Sequence, residues 1–539
     1  MSAPDLSRAR TPERASRGGA PASARRPRLL VVCNYFPPQG IGGGEVVAAR
    51  QAGAMQDLGW EVRVFTADTE PGSRPPGHLA AEDVGGLHVL RAHVDRAGGF
   101  EFLNPSAEAP FAQALRDFAP DVVHFHNLGQ LGFNLAGLAQ AAGARIIFTL
   151  HDRGAFCFKG TLLRNDLSPC EDFGGCAQCR PVLPTPQGLL PPRLRQDYVL
   201  TQLARADMLI APSQGLADDF LRAGVDPRRL TVLSSGIELA AIAPRSREGE
   251  GIVRFACAAY LGEHKGIAVL AEALRILWAD QALRGRWRFL IAGDGELAPV
   301  IRELVRAERM EEAVETPGRL PREQVLQRLS QADVAVLPSI CVENQPVWLL
   351  EGIASGAALV ASRVGGSAEL VEHGVNGLLY PRRDPAALAA ALRELILSPG
   401  RIAAFSAENL RRRGRYSTDA VGRTLDRIYR ADAQEARAPA DLVFACGIDR
   451  RRAAQAMESA PREWQGRRVR LIWWRWIIGR GGVEAPAWVF SLGWRWQDWA
   501  RALLVVGPGP LLRCARLLGR RLPPLPSLPP VRSEEARRR

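Results

Sequence analysis

Residues 338–356 read P-S-I-C-V-E-N-Q-P-V-W-L-L-E-G-I-A-S-G, and the two acids of this stretch, Glu343 and Glu351, stand eight positions apart. The strand-like run 332–337 ahead of it stops at Pro338-Ser339. A helical run opens near Pro346, whose fixed φ and missing N–H suit the first helical position. This pattern puts Glu343 in a strand-to-helix loop and Glu351 about a turn and a half inside the helix. Both carboxylates then reach the crevice at the carboxyl edge of a parallel sheet, where open α/β folds place ligands. Vicinal hydroxyls of a sugar or a ribose are donors that ionised carboxylates accept strongly. Asn344-Gln345 lie beside a helix start, whose unpaired N–H groups and dipole favour an anion such as phosphate. Taken alone, two glutamates are more often solvated side chains than ligands.

The surroundings change that reading. From Pro338 to Leu379 the chain follows P-S…E-x7-E-x4-G…G-G…E…G-x-x-G-L-L, with Gly365-Gly366, Glu369, Gly374 and Gly377 in order. This segment resembles the donor-site motif of glycosyltransferase family 4, retaining enzymes of the GT-B fold, in which two Rossmann-like α/β domains face a cleft. The resemblance implies that Glu343 meets a donor-sugar hydroxyl and Glu351 the ribose of the nucleotide, with Asn344, Gln345 and Pro346 also on the donor side. The activity implied is transfer of a sugar from a nucleotide-diphosphate sugar to a hydroxyl acceptor, lipid-linked or polysaccharide, in cell-envelope glycan or glycolipid synthesis.

Lysine usage supports the same site. The chain has 68 Arg and only two Lys, at 159 and 265, and Lys265 stands in Tyr260-Leu-Gly-Glu-His-Lys-Gly266, just past the strand-like run 254–259. A compact ammonium on a flexible stem suits a pyrophosphate deep in a cleft, where a planar guanidinium fits less well. By resemblance Lys265 pairs with the diphosphate and supports the leaving group. Many relatives also carry an arginine after this strand; Glu263 stands in this loop, and Arg363 is a candidate to restore the charge balance.

Upstream, the apolar run 28–33, the loop Gly40-Ile-Gly42-Gly43-Gly44-Glu45, a helical run 46–58 and a strand 61–66 form a parallel βαβ unit. Glycines let backbone approach a ligand and present N–H groups to oxygens; by resemblance Gly42 and Gly43 lie across the cleft from the donor phosphates. Two further strands end in polar residues, Val122-Val-His124-Phe-His126 and Arg145 to Thr149-Leu-His151. Alternation puts His124 and His126 on one face, with His126 nearer the edge. By resemblance His126 contacts the donor sugar near the reacting centre, and His151 is a second candidate. Gly293-Asp-Gly-Glu296 reads as a tight βα turn. Thr316 to Leu320 follows a short strand, and by resemblance Leu320 lies against the nucleotide base. No D-x-D pair stands in a donor-metal context, so transfer without a cofactor or metal is expected.

Cys157-x12-Cys170-x5-Cys176-x2-Cys179 lies in a loop-like stretch with Pro169, Gly174-Gly175 and Pro181. The C-x2-C spacing fits a metal while the other two spacings are irregular. Two readings stay open: a structural zinc held by Cys157, Cys170, Cys176 and Cys179, or reduced thiols.

The net charge of +13 is concentrated at the ends. Residues 1–26 carry six Arg against two acids and 435–539 twenty Arg against nine, so the 408 residues between sum to about −2. No base-reading or zinc-finger pattern accompanies the excess, and a nucleic-acid partner is not expected. Eight of the twelve Trp fall between 464 and 499, interleaved with Arg. Tryptophan favours the headgroup boundary and arginine attracts anionic lipid, so this extension reads as an interfacial anchor; a small helical domain with a Trp-rich core is the rival. The layout expected is a disordered basic tail 1–26, an acceptor-side domain 27–240, a linker 241–250, a nucleotide-sugar domain 251–434 and the extension 435–539. No run is long and apolar enough to span a bilayer and no secretory signal opens the chain, which points to a cytoplasmic protein, peripheral at the inner face of the plasma membrane. Two other functions fit such a chain: a nucleotide-sugar epimerase of GT-B architecture and a non-catalytic membrane-associated scaffold.

Overall fold

The computed structural model describes residues 25–245 and 251–431, apart from 40–41, 69–73, 95–103 and most of 172–201. The expectations for the basic tail, for Cys176, for half of the linker and for the 435–539 extension therefore fall outside the described residues.

Two sheets organise the chain. The first contains β1 (Arg28–Cys33), β2 (Glu61–Asp68), β3 (Leu79–Val84), β4 (Leu87–His93), β5 (Val122–Phe125) and β6 (Arg145–Thr149). A separate antiparallel pair, β7 (Leu183–Thr185) and β8 (Gly188–Leu190), interrupts the series, and β9 (Met208–Ala211) and β10 (Leu230–Val232) complete the sheet in the order β10-β9-β6-β5-β1-β2-β4-β3. Every pairing in it is parallel except β3 against β4. The second sheet is wholly parallel: β11 (Val253–Ala258), β12 (Trp287–Ala292), β13 (Val314–Gly318), β14 (Val334–Leu337), β15 (Ala358–Ser362) and β16 (Gly377–Tyr380), in the order β13-β12-β11-β14-β15-β16. Parallel strands are covered on both faces, which is why β14 is wholly apolar and β1 and β15 are apolar but for Arg28 and Ser362 at their ends, all three buried along nearly their whole length. Alternation splits β1 between two cores: Leu30 and Val32 join a cluster with Phe65, Phe111, Phe125 and Phe148, while Leu29 and Val31 pack with Trp60 and Val64 on the opposite face.

The two halves are the Rossmann-like pair that the GT-B reading anticipates. The chain's last described helix, Thr418–Arg430, returns to the first half, where Val421, Leu425 and Tyr429 enter the core beside Val31 and Trp60. Trp60 Nε1 donates to Asp426 Oδ1 at 2.7 Å, and the Tyr429 hydroxyl lies 2.6 Å from His124 Nδ1.

Two element boundaries differ from the sequence reading. The first helix spans Gly43–Asp57, so Gly43 and Gly44 belong to its opening turn and only Gly42 stays extended. The Glu45 carboxylate accepts from the Gly42 N–H at 3.0 Å, which stabilises a start that glycine propensity opposes. Pro346 is the cap of the Val347–Ser355 helix and not its first residue, because its ψ of 116° is extended.

The sheet order fixes where the functional loops meet. In the first sheet β1 lies between β2 and β5, and in the second β11 lies between β12 and β14. Loops leaving the carboxyl ends of β1, β5 and β6 face those leaving β11 and β14, the crevice positions of open α/β sheets.

Candidate active site

A cavity of about 500 Å³ lies between the halves, lined by Gly43, Gly44, Asn127, His151 and Asp152 from the first and by Tyr260, Lys265 and residues 343–348 from the second. At its centre Lys265 Nζ is 2.7 Å from Glu343 Oε1. Lys265 ends a 3₁₀ turn after β11, and Gly266 follows in the left-handed region at φ 71°. A Cβ there would lie 1.9 Å from the Pro338 carbonyl, so glycine is what allows the lysine turn to close on the loop carrying Glu343. Ile340 N and Cys341 N both donate to the His264 carbonyl at 3.0 Å, tying the two loops along their backbones. Glu343 is buried, and burial alone would raise its pKa; the Lys265 charge and hydrogen bonds from Lys265, Ser339 and Cys341 outweigh that and hold it below the usual carboxylate range. Burial likewise pulls the Lys265 ammonium down, but Glu343 carries it net upward. The pair is therefore ionised at neutral pH. The neighbouring Cys341 thiol, pushed up to about 12 chiefly by burial, stays protonated.

Two helix N-termini open on the same cavity, that of Gly43–Asp57 from the first half and that of Val347–Ser355 from the second. A Cβ on Gly43 would be 3.8 Å from the Val347 side chain, which shows how near the starts come. Their first N–H groups lack intrahelical acceptors and open on the cavity beside Lys265, whose lining also carries the carboxylates of Glu45, Asp152 and Glu343.

Three imidazoles cluster at the ends of β5 and β6, His126 stacked on His151 with ring centroids 5.0 Å apart and tilted against His124. His124 Nε2 is 2.8 Å from Thr149 Oγ1, and His126 Nδ1 is 2.8 Å from His151 Nε2. Burial pushes His124 down to about 3 and His151 to about 4, and it drives His126 well below its ordinary value with help from both neighbours. All three are neutral at pH 7. His126 Nε2 is buried and lacks a hydrogen-bond partner, and His126 lines a second cavity of about 210 Å³ that shares Asn127, His151 and Asp152 with the first.

Other predicted residues are placed differently. Asn344 and Gln345 line the cavity, but their side chains bridge the halves: Asn344 Oδ1 accepts from Arg153 and its amide donates to the His151 carbonyl, while Gln345 Oε1 accepts from Ser235 N at 2.8 Å. Glu351 lies further along its helix, 3% exposed and outside the cavity lining, with Oε1 facing Arg322 and, at 3.8 Å, Arg50 of the first half. Gly42 is exposed at the helix start, and Leu320 is half-buried in the turn after β13, two residues before Arg322. Neither Gly42 nor Leu320 is among the cavity's lining residues. Arg363 is exposed and also lies off the lining, so it does not restore charge at Lys265. Glu369, a motif residue given no role in sequence, reaches across to accept from Gln214 N and Gly215 N at 2.7 Å each, on the first turn of the Gln214–Arg222 helix. Of the cysteine cluster, Cys157 is buried and Cys170 and Cys179 half-buried, and among the described residues no three His, Cys, Asp or Glu side chains are placed to hold a metal ion together.

The structure adds Tyr260, Arg50, Arg322 and Arg153 to the residues that the sequence singles out. Tyr260 lines the cavity at 53% exposure and stacks on His264, with ring centroids 5.8 Å apart. Its place in the Lys265 loop was the available clue.

Residues 41–241 match the family described as Glycosyltransferase Family 4, and residues 252–398 that described as Glycosyl transferases group 1. Over 196 residues the chain is 34% identical to the putative colanic acid biosynthesis glycosyltransferase WcaL of Salmonella typhimurium, covering 35% of this chain and 48% of that protein. The amylovoran biosynthesis glycosyltransferase AmsK of Erwinia amylovora is 31% identical over 207 residues, 37% of this chain and 50% of that one. The chain thus spans about half the length of these relatives. Among solved structures, Anabaena HepE in complex with UDP and glucose aligns with a TM-score of 0.55 at 16% identity, over 75% of this chain and 99% of that chain, a likeness of fold.

Proposed function

Given that the chain belongs to glycosyltransferase family 4, we propose that it transfers a sugar from a nucleotide-diphosphate sugar to a hydroxyl acceptor in the assembly of a cell-envelope glycan. The observation that carries this reading is the ionised Lys265–Glu343 pair in a cavity faced by two helix N-termini. The lysine and the helix starts offset charge developing on the departing diphosphate, the electrostatic stabilisation that often dominates group transfer. The same positive groups do the work that a donor metal would do, so the transfer is read as metal-independent. Glu343 accepts hydrogen bonds from hydroxyls of the donor sugar, and neutral His126 offers its unpartnered Nε2 from the facing half. The acceptor enters from the side of His151 and Asp152, which line both cavities. Transfer proceeds with retention, as in the family the motif resembles.

HepE's complex with UDP and glucose supports a uridine donor, and the names of WcaL and AmsK support an extracellular polysaccharide product. The Trp- and Arg-rich extension would hold the enzyme at an anionic membrane surface beside a lipid-linked acceptor. Among the described residues no helix is long and apolar enough to cross a membrane.

Thermal stabilisation by a panel of nucleotide sugars tests the donor, because a ligand at 100 times its Kd adds about 2.7 kcal/mol. The stabilising compound is then incubated with candidate acceptors, and the anomeric configuration of the product is read by NMR. Nucleoside diphosphate release that rises only with acceptor is expected. Epimerised donor formed without acceptor would defeat the reading.

A further inference from the structure

Arg153 follows His151-Asp152 beyond β6 and is 1% exposed, among the largest fully buried side chains of the molecule. A guanidinium so placed needs partners for its donors. Nε donates to Asp219 Oδ2 at 2.6 Å, on the Gln214–Arg222 helix of its own half. Nη1 donates to the Val342 carbonyl at 3.0 Å and to Asn344 Oδ1, both in the other half. These acceptors are the residues on either side of Glu343. Asn344 returns a hydrogen bond to the His151 carbonyl, so the contact runs in both directions. The second half holds the same loop from behind: Gly366 N donates to the Glu343 carbonyl at 2.8 Å, and a Cβ on Gly366 would lie 1.8 Å from the Asn344 carbonyl. Glu369 grips the first turn of the helix that carries Asp219, so the clasp has a second attachment between the same two elements.

We infer that Arg153 is a positioning residue: the second half alone ties the Glu343 loop to the Lys265 turn, and by clasping Val342 and Asn344 across the domain interface Arg153 fixes that loop further, so that docking of the two halves holds the carboxylate toward the donor sugar. This rests on the proposed role of Glu343 at the donor. A guanidinium suits the task because its planar fork serves Asp219 through Nε and the opposite loop through Nη1 at once. A lysine has one nitrogen for both sides. The arrangement couples chemistry to docking, since separating the halves removes every contact that Arg153 makes to the Glu343 loop while leaving the Lys265 turn in place.

Arg153→Lys and Asn344→Ala test it, since both leave a partner for Asp219. The full chain is studied by UDP calorimetry, by UDP release from UDP-glucose with methyl α-D-glucoside as acceptor, and by amide hydrogen exchange of residues 341–346. Both variants are expected to bind UDP within about twofold of the parent and to lose roughly tenfold or more in kcat. Exchange in 341–346 should quicken roughly tenfold, and the two changes together should be no worse than the stronger one alone. Unchanged exchange in both variants overturns the inference, as does UDP affinity that falls in step with turnover, which marks a general structural loss. A parent protein that neither binds UDP nor turns over any nucleotide sugar defeats the functional reading instead, while the exchange comparison still decides the clasp.

Discussion

Lys265 Nζ and Glu343 Oε1 stand 2.7 Å apart at the junction of the two sheets' loops, each setting the ionisation of the other. Lys265→Ala leaves a buried carboxylate without its cation and removes the charge placed for a departing diphosphate. Turnover should fall roughly ten- to hundredfold, the loss typical of a charge-assisted contact of ~1.5–3 kcal/mol. Adding Glu343→Gln should recover stability but not activity, because the double variant has no orphaned buried charge. Urea unfolding and steady-state kinetics on the four proteins of the cycle measure both. Parental kcat/KM in Lys265→Ala would remove Lys265 from the mechanism.

Glu351 gives a second, independent test. Its Oε1 faces Arg322 and Arg50, and burial, followed by the nearby Arg322 charge, draws the Arg50 pKa down against the opposing pull of Glu351. Glu351→Ala therefore leaves two close guanidinium groups from opposite halves without their shared anion. It should weaken UDP binding roughly tenfold and also lower stability, whereas Arg50→Met, which relieves the repulsion, should restore stability in the Glu351→Ala background. UDP affinity equal to the parent's in Glu351→Ala would exclude a ribose contact.

What could be read from sequence, and what could not, follows from where each partner lies. Strands such as β1 and β14 announce themselves as apolar runs because both faces are covered, and Glu343, Glu351 and Lys265 stand out through local spacing and through the rarity of lysine. Arg153 was invisible for the converse reason. It is one of 68 arginines, and its partners lie 66 to 191 positions away on two domains. The place of Asn344 and Gln345 beside a helix start points to donor contacts, but docking of the halves turns their side chains onto His151, Arg153 and Ser235. The helix start at Gly43 gives no sequence signal because propensity disfavours glycine, while a side chain on Gly44 would strike Asn127 Nδ2 at 2.8 Å.

The buried imidazoles predict a pH dependence of definite sign. His124 and His151 are pushed down to about 3 and about 4, and His126 is also lowered. Above an unfolded pKa near 6.5 these groups are neutral in both states. As pH falls below that, the unfolded chain takes up protons that the folded chain refuses, so stability declines toward pH 4, by at most roughly 1.4 kcal/mol per pH unit for each imidazole. Urea midpoints at pH 7.5 and 5 measure the slope in a window where carboxylates titrate little. His124→Leu should flatten it by one group's share whatever its baseline stability. Equal stability of the parent at the two pH values would contradict the buried neutral cluster.

The C-terminal extension yields the last prediction, from the coincidence of eight Trp between 464 and 499 with an Arg excess over 435–539. Near an anionic bilayer each basic residue contributes about 1 kcal/mol, and that contribution decays with salt, whereas burial of indole rings in the headgroup region does not. The full chain should therefore sediment with phosphatidylserine vesicles and be released only partly by high salt. A chain ending at residue 434 keeps the Thr418–Arg430 helix and its Trp60–Asp426 and His124–Tyr429 contacts, so it should remain folded. It should also stay off the vesicles and retain transfer to a water-soluble acceptor. Equal vesicle binding by the two chains would end the anchor reading. An unfolded truncation would instead make the extension a structural part of the enzyme, its tryptophans a core packed against the domains and not a surface for lipid.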